Sequence, residues 1–117
     1  MLIHQKLNIS KKHFLQNSHD GFDFYEHILG ELKLADSCRC ENIRNPFYGD
    51  KNPSFSIYYD KGKEIWRYHD YGDPMFSGDV FNFAATYYST ITDKFWQVLE
   101  KMYDDLGIEK PAQEIEM

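Results

Sequence analysis

The stretch Ser54-Phe55-Ser56-Ile57-Tyr58-Tyr59 alternates with period two, and no other feature constrains the fold as much. In an extended chain successive side chains point to opposite faces, so Phe55, Ile57 and Tyr59 share one face. Asp60-Lys61-Gly62-Lys63 reads as a turn, with Gly62 free to take a positive φ. Glu64-Ile65-Trp66-Arg67-Tyr68-His69 then supplies the partner strand, and cross-strand aromatic pairs suit such a hairpin.

Helical periods surround the hairpin. Phe22, Tyr25, Ile28, Leu29 and Leu32 recur at three- and four-residue steps, which predicts a helix from Asp20 with Ser18 or Asp20 as its cap. Residues 36–52 read mostly as loop, with a short strand around Cys40 to Ile43. After the break at Gly72-Asp73-Pro74, Ser77-Gly78-Asp79 opens a helix whose stripe is Val80, Phe81, Phe83, Ala84 and Tyr87. Thr90-Ile91-Thr92-Asp93 opens the last helix, with Phe95, Leu99, Met102 and Leu106 on one face and Gly107 and Pro111 as its stop. The fold class is α+β, a small antiparallel sheet with a central hairpin flanked by helices. Residues 1–19 read as an N-terminal arm with a short helical stretch near Lys11 to Gln16, 20–108 as the folded module, and 109–117 as a frayed C-terminal tail.

At 117 residues the chain has room for one core, and 17% aromatic content supplies one despite a polar mean hydropathy of -0.65. The net charge of -6 argues against a generic nucleic-acid glue. It is unevenly spread: residues 71–117 hold three Lys or Arg against nine Asp or Glu, whereas residues 38–70 hold six against five. No apolar run is long enough to span a membrane, and Met1 to Lys6 lacks the apolar core of a signal peptide. Cys38 and Cys40 stand too close to staple the fold, so a cytoplasmic, reducing location is expected.

Catalytic signatures are missing. The chain has no glycine-rich phosphate cradle, no Gly-x-Ser-x-Gly elbow and no His-Glu-x-x-His. Asp104-Asp105 reads as a solvated helix face. Cys38, Cys40 and His69 are soft ligands, but Cys-x-Cys is not the usual zinc knuckle and a fourth ligand is not evident. They read as ordinary side chains, and no cofactor is expected.

Three segments, taken together and in order, carry a resemblance. They are Asn45-Pro46-Phe47-Tyr48-Gly49-Asp50-Lys51-Asn52-Pro53-Ser54-Phe55, then Ile65-Trp66-Arg67-Tyr68-His69-Asp70-Tyr71-Gly72, then Ser77-Gly78-Asp79-Val80-Phe81-Asn82-Phe83. The set resembles the N-terminal zinc-binding domain of bacterial and phage DNA primases, over roughly residues 24–108. That family reads Cys-Pro-Phe-His, a Lys-x-Pro-Ser-Phe hairpin, Cys-x-x-Cys-Gly, and Gly-Asp before a helix. Here the ligand positions fall on Asn45, Tyr48, Tyr68 and Tyr71, so the resemblance implies a zinc-ribbon-like primase domain without zinc. Structural zinc contributes around 10 kcal/mol in small domains, so its loss requires compensation. The three tyrosines are expected to form a packed aromatic plug in its place.

The resemblance implies a non-catalytic module of DNA replication, of phage or mobile-element origin. It would bind single-stranded DNA and assist a separate primase catalytic chain or a replicative helicase. Arg44, Lys51, Lys61, Lys63 and Arg67 lie on or beside the hairpin, interleaved with Tyr48, Tyr58, Trp66, Tyr68 and Tyr71. Cations that track phosphates beside aromatic faces for stacking are the means of single-strand binding. By alternation, however, Trp66 and Tyr68 share one face while Arg67 and His69 share the other. A second reading is a protein-protein interaction module on the same degenerate fold, with the acidic C-terminal third attracting a basic partner. A third is a structural remnant without retained activity.

Overall fold

The computed structural model describes residues 3–7, 9–34, 38–49 and 53–116. In chain order the elements are β1 (Ile3–Leu7), α1 (Lys11–Gln16), α2 (Phe22–Leu29), β2 (Arg39–Ile43), β3 (Phe55–Asp60), β4 (Ile65–Asp70), β5 (Ser77–Asp79), α3 (Val80–Tyr87), α4 (Phe95–Leu106) and β6 (Ala112–Glu116). The fold is α+β. Four antiparallel strands form one sheet in the order β2-β3-β4-β5, and β1 pairs with β6 in a separate two-stranded ribbon.

The hairpin folds as its alternation dictates. Ile57 stands opposite Tyr68, Tyr59 opposite Trp66 and Phe55 opposite Asp70, so these six share the inner face. Cys40 joins them from β2, opposite Ile57. The helices cover this face. Phe83 of α3 packs its ring against Tyr68, Phe55, Tyr25 and Phe47, and Phe24 of α2 meets Phe83 and Tyr88. Fully burying a ring of this size is worth about 1.5–3 kcal/mol. Part of the aromatic richness of the sequence thus builds the core, and part of it, Tyr71 and Trp96 among others, stays at the surface.

Several expectations are corrected. Residues 9–19 are not an arm: Phe14 of α1 is 0% exposed and packs against Phe24, Phe81 and Tyr103. Nor are both termini loose ends, since β1 and β6 pair along five residues each. In the hairpin turn the left-handed residue is Glu64 (φ 54°), not Gly62. The Asp60 carboxylate organises that turn by accepting from the N–H groups of Gly62 and Lys63. Helix α2 starts on Gly21 (φ 97°) without a side-chain cap, because Ser18 is buried and donates its hydroxyl to the Phe14 carbonyl. Helix α4 starts at Phe95 and buries Val98, Leu99, Met102 and Tyr103, which leaves Phe95 at the surface.

The start of α3 is as the sequence implies. Asp79 accepts from the N–H groups of Phe81 and Asn82, and the Asn82 side chain accepts from the Asp79 N–H. This capping box satisfies donors that a helix start otherwise leaves orphaned. The three residues before it also pair with β4 as β5, a strand that the glycine and proline around them had concealed. Among the described residues no helix is long and apolar enough to cross a membrane.

Candidate functional site

Because the helices lie against the inner face, alternation turns a second set of side chains to the opposite side of the sheet. The register runs Arg39, Tyr58, Arg67, Asp79 straight across β2, β3, β4 and β5. Neighbouring strands lie about 4.8 Å apart, so the row spans roughly 14 Å. His69, opposite Ser56 and Ser77, extends this face toward Tyr71 in the following loop.

These side chains organise one another. Arg67 Nε donates to the Tyr58 hydroxyl at 3.3 Å, and the Arg39 guanidinium sits 5.7 Å from the Tyr58 ring centroid. Arg39 also donates to the Tyr71 hydroxyl at 3.3 Å, and the His69 and Tyr71 rings meet edge to face at 4.5 Å. The hydrogen bond to Tyr58 raises the pKa of Arg67, and that to Tyr71 raises the pKa of Arg39. Both cations have carboxylates within reach, Glu41 at 3.5 Å from Arg39 and Asp60 at 4.0 Å from Arg67. The result is a row of two guanidiniums and phenol rings in which Tyr71 is 61% exposed.

The loops at the end of this face are tied by one carboxylate. Asp70, on the inner face at the end of β4, is 0% exposed. Its Oδ2 accepts from Asn45 Nδ2 at 2.8 Å and from the Tyr48 hydroxyl at 2.5 Å. Its Oδ1 accepts from Ser54 Oγ at 2.7 Å and from the Gly72 N–H at 2.8 Å. Burial pushes the pKa of Asp70 up, but the hydrogen bonds from Tyr48, Asn45, Ser54 and Gly72 outweigh it and hold the carboxyl well below the usual carboxylate range. The backbone at Gly72 approaches this knot closely: a Cβ would stand 2.7 Å from Ser54 Oγ and 3.2 Å from Asp70 Oδ1, so a side chain there would displace Ser54.

Asn45 and Tyr48 are two of the positions that the primase resemblance assigns to metal ligands, and the other two are Tyr68 and Tyr71. These four do not fit zinc, which takes thiolate, imidazole or carboxylate donors. Among the described residues no three His, Cys, Asp or Glu side chains are grouped so as to hold a metal ion. The expected tyrosine plug is also not what joins the loops. Tyr68 is buried among Phe55, Tyr25 and Phe83, Tyr71 is at the surface, and only Tyr48 takes part, through its hydroxyl. A buried carboxylate with converging donors does the tying.

The sequence-predicted binding residues separate in space. Arg67 lies on the open face. Trp66 lies on the inner face, packed between Phe22 (4.8 Å) and Tyr59 (5.5 Å), and is no stacking platform. Lys61 and Lys63 are exposed in the turn at one end of the hairpin, while Arg44 follows β2 near the other end. Lys51 lies outside the described residues. Two residues were missed. Arg39 needed only the alternation of β2 carried one residue further back. Asp70 stands two residues beyond Tyr68 in the same strand, so its carboxylate had to point inward and find donors. Cys40 is buried, and burial pushes its thiol pKa up, as suits a packed and unreactive side chain. The chain matches no family model, no curated protein and no solved structure.

Proposed function

We propose that this chain is a non-catalytic module that binds single-stranded DNA on the open face of its sheet and works beside a separate primase or helicase chain. The observation that carries this reading is the row Arg39, Tyr58, Arg67 with His69 and Tyr71 beside it, on the side of the sheet away from the helices. Bases stack on exposed rings at about 1–3 kcal/mol each, and guanidiniums both stack and contact phosphate. Since Arg39 and Arg67 already face carboxylates, stacking leads and phosphate neutralisation contributes less. The resemblance of residues 24–108 to primase zinc domains supports the same direction.

The test is fluorescence anisotropy of a labelled oligothymidine with the purified chain at low and moderate salt. Tyr58→Ala and Tyr71→Ala are each expected to weaken binding by about fivefold or more. Absence of binding at low salt, or binding indifferent to both substitutions, would overturn the reading. A second reading, a protein-interaction module, is favoured by a different observation: three of the large exposed hydrophobic side chains, Tyr87, Ile91 and Trp96, line two adjoining hollows beside α3 and α4.

A further inference from the structure

The C-terminal end of α3, the link after it and the outer side of α4 form an open groove. It consists of two adjoining hollows of about 530 and 250 Å³, which share Ile91, Lys101 and Asp104. Tyr87 lines the first hollow and Trp96 the second. Ile91 is 65% and Trp96 56% exposed, so the groove presents large apolar groups to solvent. Trp is moreover among the residues most enriched where protein partners bind.

The rim is acidic. Glu100, Asp104 and Asp105 line the groove along α4, with Lys101 as the one cation among its lining residues. Asp104 pairs with Lys110 at 2.6 Å, while Glu100 and Asp105 form no ion pair among the described residues. Tyr88 donates its hydroxyl to Asp105 and holds that carboxylate at the groove wall. The same helix start already holds a cation on an aromatic ring: Lys11 Nζ lies 5.0 Å from the ring centroid of Phe95 and 5.2 Å from that of Phe81.

From this juxtaposition we infer that the groove docks a basic amphipathic segment of a protein partner. Its apolar side chains would lie on Ile91 and Trp96, and its Lys or Arg groups would meet Glu100 and Asp105 and the faces of Tyr87 and Trp96. Apolar anchors at the centre with complementary charge at the rim give both affinity and partner choice. Phosphate is disfavoured here by the same carboxylates, so the groove is distinct from the sheet face in position and in charge. The inference gives a place and a chemistry to the protein-interaction reading and does not depend on DNA binding.

The test uses the full chain and a labelled helical peptide of Leu and Lys at amphipathic spacing, beside its counterpart with Glu for Lys. The basic peptide is expected to bind and to lose affinity in high salt, and the acidic one to fail. The double variant Ile91→Ser/Trp96→Ala, both positions being exposed, is expected to keep its melting temperature and bind the basic peptide about tenfold more weakly or worse. Glu100→Lys serves as a second variant, with weaker binding expected from charge reversal alone. No binding of the basic peptide, equal binding of both peptides, or unchanged binding by the variants would overturn the inference. So would a sedimentation result in which the wild-type chain is a dimer and the double variant a monomer, since the groove would then hold a second copy. Oligothymidine binding is measured in parallel. Its loss in the double variant would reassign the groove to nucleic acid, whereas its absence in every protein would overturn only the sheet-face reading.

Discussion

Asp70 carries its charge in the interior only because four donors converge on it. Its pKa is lower in the folded than in the unfolded chain, where an aspartate titrates near 4. Folding therefore gains from this group above the unfolded pKa, and that gain is lost as pH falls toward the folded pKa. Asp70→Asn turns an amide NH₂ toward donors, which leaves hydrogen bonds unmade in a buried site. A destabilisation of about 3 kcal/mol at neutral pH is expected from urea unfolding. As pH falls below about 4 the wild type should lose stability more steeply than the variant. Parallel curves for the two proteins would show that the carboxylate does not hold the loops. Tyr71 presents the opposite case. Its ring is at the surface, so Tyr71→Ala is expected to change stability by no more than about 0.5 kcal/mol while weakening oligonucleotide binding.

Among the elements, the junction of β5 and α3 joins the sheet to its covering helix. Asp79 is at once the last residue of β5, opposite Arg67, and the cap of α3. Asp79→Ala is expected to cost about 1 kcal/mol through the lost cap, measured as a lower urea midpoint with unchanged slope. The entry of α2 is bound to the same helix by close approach. Gly21 has φ 97°, and a Cβ there would stand 2.8 Å from Val80 Cγ1. Gly21→Ala combines backbone strain with a clash against a fully buried side chain, and a loss above about 1 kcal/mol is expected in the same assay. A smaller loss would mean that α2 shifts on α3 without resistance.

Across the whole molecule, charge and aromatic surface are divided between two sides. The sheet side carries Arg39 and Arg67 beside carboxylates, and the helical side carries the acidic groove. If two guanidiniums are the phosphate contacts, the logarithm of the oligothymidine affinity should fall against the logarithm of salt concentration with a slope of about −1.4. A much steeper slope would mean that the lysines of the hairpin turn also take part. The carboxylate knot at Asp70 predicts in addition that EDTA leaves the melting temperature unchanged. A fall on chelation that zinc reverses would show that a metal, and not Asp70, ties the loops.

Period-two alternation and helical stripes were sufficient to place the hairpin, α2, α3 and α4, because burial on one side imposes a period that the residues themselves display. The helical stretch from Lys11 to Gln16 was legible too, but not its role: Phe14 enters the core through contacts with Phe24, Phe81 and Tyr103, all distant in sequence. The candidate site was half legible. Alternation assigned Arg67 and His69 to one face and Trp66 and Tyr68 to the other, as found, yet it did not say which face the helices would cover. That choice, made by the packing of α3 against Phe55 and Tyr68, decided that Trp66 packs on the inner face against Phe22 and Tyr59, and that Tyr58 and Arg39, equally half-buried, lie on the other. The Asp70 knot likewise draws its donors from Asn45, Tyr48, Ser54 and Gly72, which meet only once β3 and β4 are paired. Local periodicity is written in neighbouring residues. Which surface stays open, and which polar groups meet in the interior, depend on contacts between residues far apart in the chain.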